Sequence, residues 1–104
     1  MDGPTSEKMV TIENRYGLHA RPAAEFVKLS SRFTSVITVE KDGLEVNGKS
    51  IMGVMMLAAE CGSSLLIRAS GADSREAVDA LVSLVRGRFG ESESDYELNE
   101  GEEA

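Results

Sequence analysis

The chain has 104 residues, which suits one domain with a single core, and it contains neither an apolar run long enough to span a bilayer nor an N-terminal apolar stretch typical of a signal peptide. We therefore expect a cytoplasmic protein that does not insert into membranes. The net charge is −7, but residues 1–90 carry 11 basic and 11 acidic side chains, so this part of the chain is neutral. Because it also has few aromatic residues and no basic stripe, we do not expect the protein to bind nucleic acid.

The first residues predict a leader, a strand and a turn. Residues 1–7 show no periodicity and indicate a flexible leader, so the domain is expected to begin at residue 8. Residues 9–13 alternate apolar and polar side chains, as a strand does. The turn-like residues 14–17 then lead to His19, the only histidine of the protein.

Pro22 marks the start of the first helix, because its φ is already helical and a first-turn residue leaves its N–H unpaired in any case. Apolar residues at helical spacing then predict a helix over residues 20–33. His19 falls at the N-cap of this helix, beside the outward-pointing backbone N–H groups of Ala20 and Arg21. Together with the helix dipole and the Arg21 guanidinium, these groups make an anion site of the kind that holds phosphate.

An imidazole beside a phosphate-binding helix terminus favours phosphoryl transfer through the histidine itself. Imidazole is largely neutral at pH 7, so a ring nitrogen of His19 has a lone pair available for attack. The alternative interpretation is that His19 only caps the helix or is solvated. A metal site or acid–base enzyme has less support, because no second ligand or paired carboxylate accompanies the histidine. We expect no metal and no cofactor, and we expect the single cysteine, Cys61, to be a small buried residue.

The middle of the chain predicts a hairpin and a second helix. Residues 36–40 and 44–46 read as strands on either side of Asp42-Gly43, a strong hairpin signal. Ser50 stands at the N-cap of a short helix predicted over residues 51–60.

The end of the domain predicts a fourth strand and a third helix. Residues 65–69 read as the strand. Asp73 and Glu76 resemble a capping box for a helix that continues to Phe89, and Gly87 inside it is expected to shorten the helix by a turn.

The resulting order, β-α-β-β-α-β-α, fits an α+β fold, an open-faced β-sandwich in which three helices cover one face of a four-stranded, mostly antiparallel sheet. The domain is expected to occupy residues 8–90. Residues 91–104 hold seven acids and no base, which predicts a disordered acidic tail.

The second helix has no polar side, although a helix on a sheet normally buries only one stripe. Some of its apolar side chains must therefore face outward, and methionine adapts well to different partners. Ile51, Met52 and Met55 fall on one side of its first turns, and we expect them to form a docking patch. The residues expected in the core instead are Val54, Leu57 and Ala58.

Two motifs of the chain resemble those of a known family: residues 17–24, Gly-Leu-His-Ala-Arg-Pro-Ala-Ala, and residues 49–57, Lys-Ser-Ile-Met-Gly-Val-Met-Met-Leu. The first resembles the phosphorylation-site signature, and the second the regulatory-serine segment, of the HPr family, the histidine-containing phosphocarriers of the bacterial phosphoenolpyruvate-dependent sugar phosphotransferase system. The likeness runs from about residue 8 to residue 90 and implies the strand order 1-4-2-3. The nitrogen-related paralogue, NPr, has a similar pattern.

The resemblance implies that His19 accepts a phosphoryl group on Nδ1 from phosphorylated enzyme I and passes it to an enzyme IIA domain. Arg21 and the amides of Ala20 and Arg21 would stabilise the transferring group. The protein would then be a monomeric phosphoryl carrier and not an enzyme in its own right. The implied partner-docking residues are Leu18, Ala20, Ile51, Met52 and Met55.

Ser50 has two interpretations. As an N-cap it contributes about 1 kcal/mol to the helix, whereas the resemblance implies phosphorylation by an HPr kinase/phosphorylase. A phosphoserine is compatible with a helix N-terminus but adds negative charge beside the docking patch. A second class of function therefore stays open: a regulatory interaction protein, as in the NPr branch, whose phosphorylation state at His19 or Ser50 controls partner binding rather than sugar uptake.

Overall fold

The structure is a computed structural model that describes residues 3–91. Its strands are β1 (Thr5–Thr11), β2 (Val36–Lys41), β3 (Leu44–Asn47) and β4 (Ser64–Ser70), and its helices are α1 (Ala20–Ser30), α2 (Ile51–Met56) and α3 (Ser74–Arg86), followed by a short turn, Arg88–Gly90. This order of strands and helices confirms the predicted one. In the described part of the chain, no helix combines the length and apolarity needed to cross a membrane.

The four strands form one sheet in the order β1-β4-β2-β3, and every neighbouring pair is antiparallel. Val10 on β1 pairs with Leu65 on β4, and Val39 on β2 pairs with Ile67, so the buried residues of adjacent strands share one face. Apolar side chains from all three helices pack on that face, among them Phe26 of α1. The predicted open-faced sandwich and its strand order are confirmed.

Strand β1 and helix α1 begin or end differently from the prediction. β1 starts at Thr5, three residues before the expected domain boundary, and pairs there with Ser70. Backbone pairing with β4 maintains this first part of the strand, although its side chains show no apolar alternation. Helix α1 ends at Ser30 rather than at residue 33, because the N–H groups of Arg32 and Phe33 bond to carbonyls only three residues back.

Helix α2 is four residues shorter than predicted and ends at Met56. Ala58 adopts a left-handed conformation with φ +49°, which ends the helix and leaves its side chain exposed rather than in the core. The buried residue is Ala59, whose carbonyl accepts a hydrogen bond from the Leu18 N–H at 2.9 Å. Cys61 follows this turn and is exposed, so the expectation that it is buried was wrong.

Helix α3 ends at Arg86, with Gly87 as its C-cap, which confirms the predicted shortening. Arg88 and Phe89 then take positive φ values of 58° and 56°. Phe89 is buried, and it reaches the core from this left-handed turn and not from the helix. The chain beyond α3 is thereby held against the domain.

Asp73 is the N-cap residue of α3, but its side chain makes no capping hydrogen bond, so the predicted capping box with Glu76 was wrong. The carboxylate instead accepts the backbone N–H groups of Thr34 and Ser35, at 2.9 and 3.0 Å, together with both hydroxyls. The Ser35 hydroxyl first, and then the Thr34 amide, lower the pKa of Asp73 from 3.8 to about 2. Asp73 thus links the loop before α3 to the loop before β2.

Asp73 should make the domain less stable as the pH falls from about 4 to about 2. Its carboxylate has a lower pKa in the folded chain than in the unfolded chain, so its contribution is present above the unfolded value and is lost as protons bind on acidification. Urea unfolding of the wild type and of Asp73→Asn, measured at several pH values, checks this. The difference in unfolding free energy should shrink towards pH 2, and a constant difference would contradict it.

Candidate functional site

A tightly held loop, residues 14–18, carries the chain from β1 to the single histidine. The side chain of Asn14 is fully buried and donates from Nδ2 to the Gly17 carbonyl at 2.7 Å, while the Gly17 N–H donates to the Asn14 carbonyl at 3.2 Å. Gly17 has φ +67° and lies against the backbone of Ala59. The loop is therefore fixed just before His19.

His19 lies at the N-cap of α1, as predicted, with extended backbone angles (φ −74°, ψ −176°). Its carbonyl accepts the Ala23 N–H at 3.0 Å, but its side chain makes no capping bond and is 39% exposed. The first-turn N–H groups of Ala20 and Arg21 have no acceptor within the helix. The imidazole and these donors share one helix terminus, which can bind an anion.

A carboxylate that we assigned to the disordered tail belongs to this site. Glu91 has a side chain only 2% exposed, and its Oε2 accepts from Arg21 Nη2 at 2.6 Å and lies 3.0 Å from His19 Nε2. Its Oε1 accepts from Asn14 Nδ2 at 3.2 Å. The predicted tail is therefore wrong at its first residue, and residues 92–104 lie outside the described part of the chain.

The turn after α3 explains why Glu91 reaches the histidine. The left-handed Arg88 and Phe89 reverse the chain, and the Glu91 N–H donates to the Arg88 carbonyl at 2.8 Å. The buried Phe89 ring anchors this reversal in the core. The one signal in the sequence was an apolar Phe89 between Gly87 and Gly90, which indicates a packed turn rather than a free end.

The docking patch, Ile51, Met52 and Met55, is exposed on α2, and Met52 is the most open of the three, at 77%. Helix α2 packs against α1, which begins at the site, and Ala20 is also exposed there. Leu18 is only 5% exposed and belongs to the core, so its assignment as a docking residue was wrong. Val54 and Leu57 are buried, as expected. Met56 is exposed on the same helix, although it was not among the residues predicted for the docking patch.

Ser50 occupies the N-cap of α2, as predicted, and its hydroxyl accepts the Gly53 N–H at 3.0 Å. The neighbouring Lys49 donates from Nζ to the Phe33 carbonyl at 2.6 Å. Residues 3–91 contain no group of three His, Cys, Asp or Glu side chains that could hold a metal ion. The site is thus formed by an imidazole, a guanidinium, backbone donors and one buried carboxylate.

Comparison with known proteins gives a consistent result. The family described as "PTS HPr component phosphorylation site" matches residues 6–87. The phosphocarrier protein HPr of Cupriavidus necator is 46% identical over 87 residues, covering 84% of this chain and 98% of its own. The HPr-like protein Crh of Halalkalibacterium halodurans is 49% identical over 79 residues, covering 76% and 94%.

Solved structures of HPr proteins are also similar to this chain. HPr-C-His from Thermoanaerobacter tengcongensis superposes with a TM-score of 0.81 at 49% identity, covering 84% of this chain and 98% of its own. An HPr dimer from the same organism gives a TM-score of 0.67 at 52% identity, covering 81% and 99%.

Proposed function

The chain belongs to the HPr family of phosphocarrier proteins, and from this premise we propose that His19 accepts a phosphoryl group from phosphorylated enzyme I and donates it to an enzyme IIA domain. The observation that carries the proposal is the position of His19. Its imidazole is 39% exposed at the N-cap of α1, beside a guanidinium from the same helix start. A partner can therefore reach the ring without opening the fold.

The site suits reversible transfer. The phosphoryl oxygens would face the amides of Ala20 and Arg21, and the helix dipole stabilises their negative charge. The Arg21 side chain is 54% exposed, so its guanidinium can follow the group as it enters and leaves. An open site with one arginine holds the phosphoryl group without enclosing it, as a carrier that must release its group requires.

The direct test incubates the protein with enzyme I and phosphoenolpyruvate labelled in its phosphoryl group. We expect acid-labile label on His19 that moves to a sugar-specific enzyme IIA when that domain is added. Label that stays on the protein, or that reaches only a regulatory enzyme IIA, would support the alternative, a regulatory protein of the NPr or kinase-linked type. Absence of any label on His19 would refute the carrier proposal.

One feature favours the alternative function, a regulatory interaction protein: Ser50 lies directly before the docking patch. Phosphorylation of Ser50 by an HPr kinase/phosphorylase would put about two negative charges next to exposed apolar side chains and weaken docking to acidic partners. The two functions can coexist, because His19 and Ser50 are the N-cap residues of two different helices.

Replacing Ser50 with alanine should lower the unfolding free energy by about 1 kcal/mol, because the Gly53 N–H loses its side-chain acceptor. Ser50→Asp should keep most of that stability but weaken docking to enzyme I, measured by titration calorimetry. Ser63→Ala and Ser63→Asp, in the turn before β4, serve as controls for the binding measurement. Equal affinity of Ser50→Asp and the wild type would contradict a regulatory role.

We further propose that the protein acts in the cytoplasm as a monomer and does not bind nucleic acid. The balanced charge of residues 1–90 supports the last point. For the monomer, the support is that β1 pairs along its whole length with β4 of its own chain. Sedimentation across a range of concentrations would distinguish a monomer from a dimer such as the HPr dimer of Thermoanaerobacter tengcongensis.

A further inference from the structure

Glu91 contacts the side chains of Asn14, His19 and Arg21, and each of these carries a hydrogen to donate. Oε2 lies 2.6 Å from Arg21 Nη2 and 3.0 Å from His19 Nε2, and Oε1 lies 3.2 Å from Asn14 Nδ2. A carboxylate supplies acceptors to all three. Its side chain is almost wholly buried although it is charged, which is the arrangement expected of a group held for its interactions and not for its contact with water.

The contact with His19 determines which ring nitrogen carries the proton. A carboxylate beside an arginine has no hydrogen to donate, so a hydrogen bond between Glu91 Oε2 and His19 Nε2 requires the hydrogen to be on Nε2. In the neutral ring the lone pair is then on Nδ1. Nε2 is also shielded, because the carboxylate occupies the position from which a phosphorus atom would approach.

We propose that Glu91 is a positioning residue, which holds the proton of His19 on Nε2 and so leaves Nδ1 as the atom that accepts the phosphoryl group. The inference rests on the proposed carrier function and specifies its geometry. The resemblance implied Nδ1 without a physical cause in this chain, and Glu91 supplies that cause.

The same contact stabilises the ring during transfer. The lone pair of Nδ1 forms the new N–P bond, and the electron pair of the bond that breaks between phosphorus and the donor stays with the donor atom. The imidazole keeps its Nε2 hydrogen and therefore gains a positive charge, part of which lies at Nε2 beside the carboxylate of Glu91. Reverse transfer removes that charge, so Glu91 acts on the ring in both directions.

Asn14 keeps Glu91 in place. Its Nδ2 points both to Glu91 Oε1 and to the Gly17 carbonyl, which are acceptors. The opposite orientation of the amide would put Oδ1 against those two acceptors, so the donor orientation is the favourable one. Asn14 thus connects the loop that presents His19 with the turn that presents Glu91.

Phosphoramidate tests the inference without any protein partner, because this small donor reaches whichever ring nitrogen is open. Its P–N bond breaks, ammonia leaves, and ³¹P NMR of the folded protein distinguishes phosphorylation on Nδ1 from phosphorylation on Nε2. We expect the wild type to react on Nδ1 and Glu91→Ala to form both isomers, with the ratio of Nδ1 to Nε2 product lowered about tenfold or more. Glu25→Ala, at an exposed position of α1, should behave as the wild type.

A second measurement needs no variant. The ¹⁵N NMR shifts of the wild-type imidazole, recorded where the ring is neutral, should show the hydrogen on Nε2 and the lone pair on Nδ1. A hydrogen on Nδ1, an Nε2 product from the wild type, or an unchanged isomer ratio in Glu91→Ala would overturn the role of Glu91. Failure of His19 to be phosphorylated by either enzyme I or phosphoramidate would instead refute the carrier function.

Discussion

Replacing His19 with alanine is expected to abolish phosphorylation by enzyme I and phosphoenolpyruvate completely while the domain stays folded. In the proposed mechanism the ring supplies the atom that forms the bond to phosphorus, and the chain has no second histidine to replace it. The His19 side chain makes no capping hydrogen bond and is partly exposed, and the buried Glu91 carboxylate that loses its contact with the ring keeps Arg21 as a partner, so the unfolding free energy should fall by only about 1 kcal/mol. Acid-labile label and urea unfolding measure the two effects.

Lys28→Ala is a suitable control for this experiment, because Lys28 is exposed in the last turn of the same helix, away from the N-cap. It should take up label at the wild-type level. Acid-labile label that persists in His19→Ala would place the phosphoryl group elsewhere and remove the basis of the proposed mechanism.

The second large effect is expected from Gly17→Ala. A Cβ at this position would lie 2.2 Å from the Ala59 carbonyl oxygen and 2.9 Å from the Glu60 Cα, both backbone atoms, and the residue has φ +67°. Conformational strain and overpacking together should lower the unfolding free energy by about 2 to 5 kcal/mol. The loop must shift to relieve the contact, so His19 should also accept phosphoryl groups more slowly.

Gly43→Ala separates the two causes. Gly43 has a comparable positive φ of 86°, but a Cβ there meets nothing within 4 Å. This variant carries the conformational strain alone and should lose only about 1 kcal/mol, with phosphorylation unchanged. If urea unfolding shows equal losses for both variants, the close approach of Gly17 to Ala59 does not control the stability of the loop.

Features that depend on a few consecutive residues were predictable. Pro22 located the start of α1 and hence His19 at its N-cap, and Ser50 was assigned to the N-cap where its hydroxyl accepts the Gly53 N–H. Asp42-Gly43 forms the predicted hairpin turn, with positive φ at both residues. In each case the side chain or ring acts on backbone within one turn, so local sequence determines the outcome.

Features that depend on contacts with residues far away in the sequence could not be predicted. Asp73 has the spacing of a capping box, but the amides of Thr34 and Ser35 compete for its carboxylate, and they lie 39 and 38 residues away. Ala58 has an ordinary helix-forming side chain, yet it turns left-handed at the point where the chain meets the loop before His19. Neither competitor is visible in the local pattern.

The sequence by itself determined the element order and the position of His19 at a helix N-terminus, because hydrophobic periodicity and helix-start signals are short-range properties. Only the tertiary structure decided what surrounds that histidine. Glu91 is 72 residues from His19 and heads a run of acids, where a carboxylate is normally solvated. Packing of Phe89 into the core brings it to the imidazole, and this outcome depends on how the whole core closes and not on the residues beside Glu91.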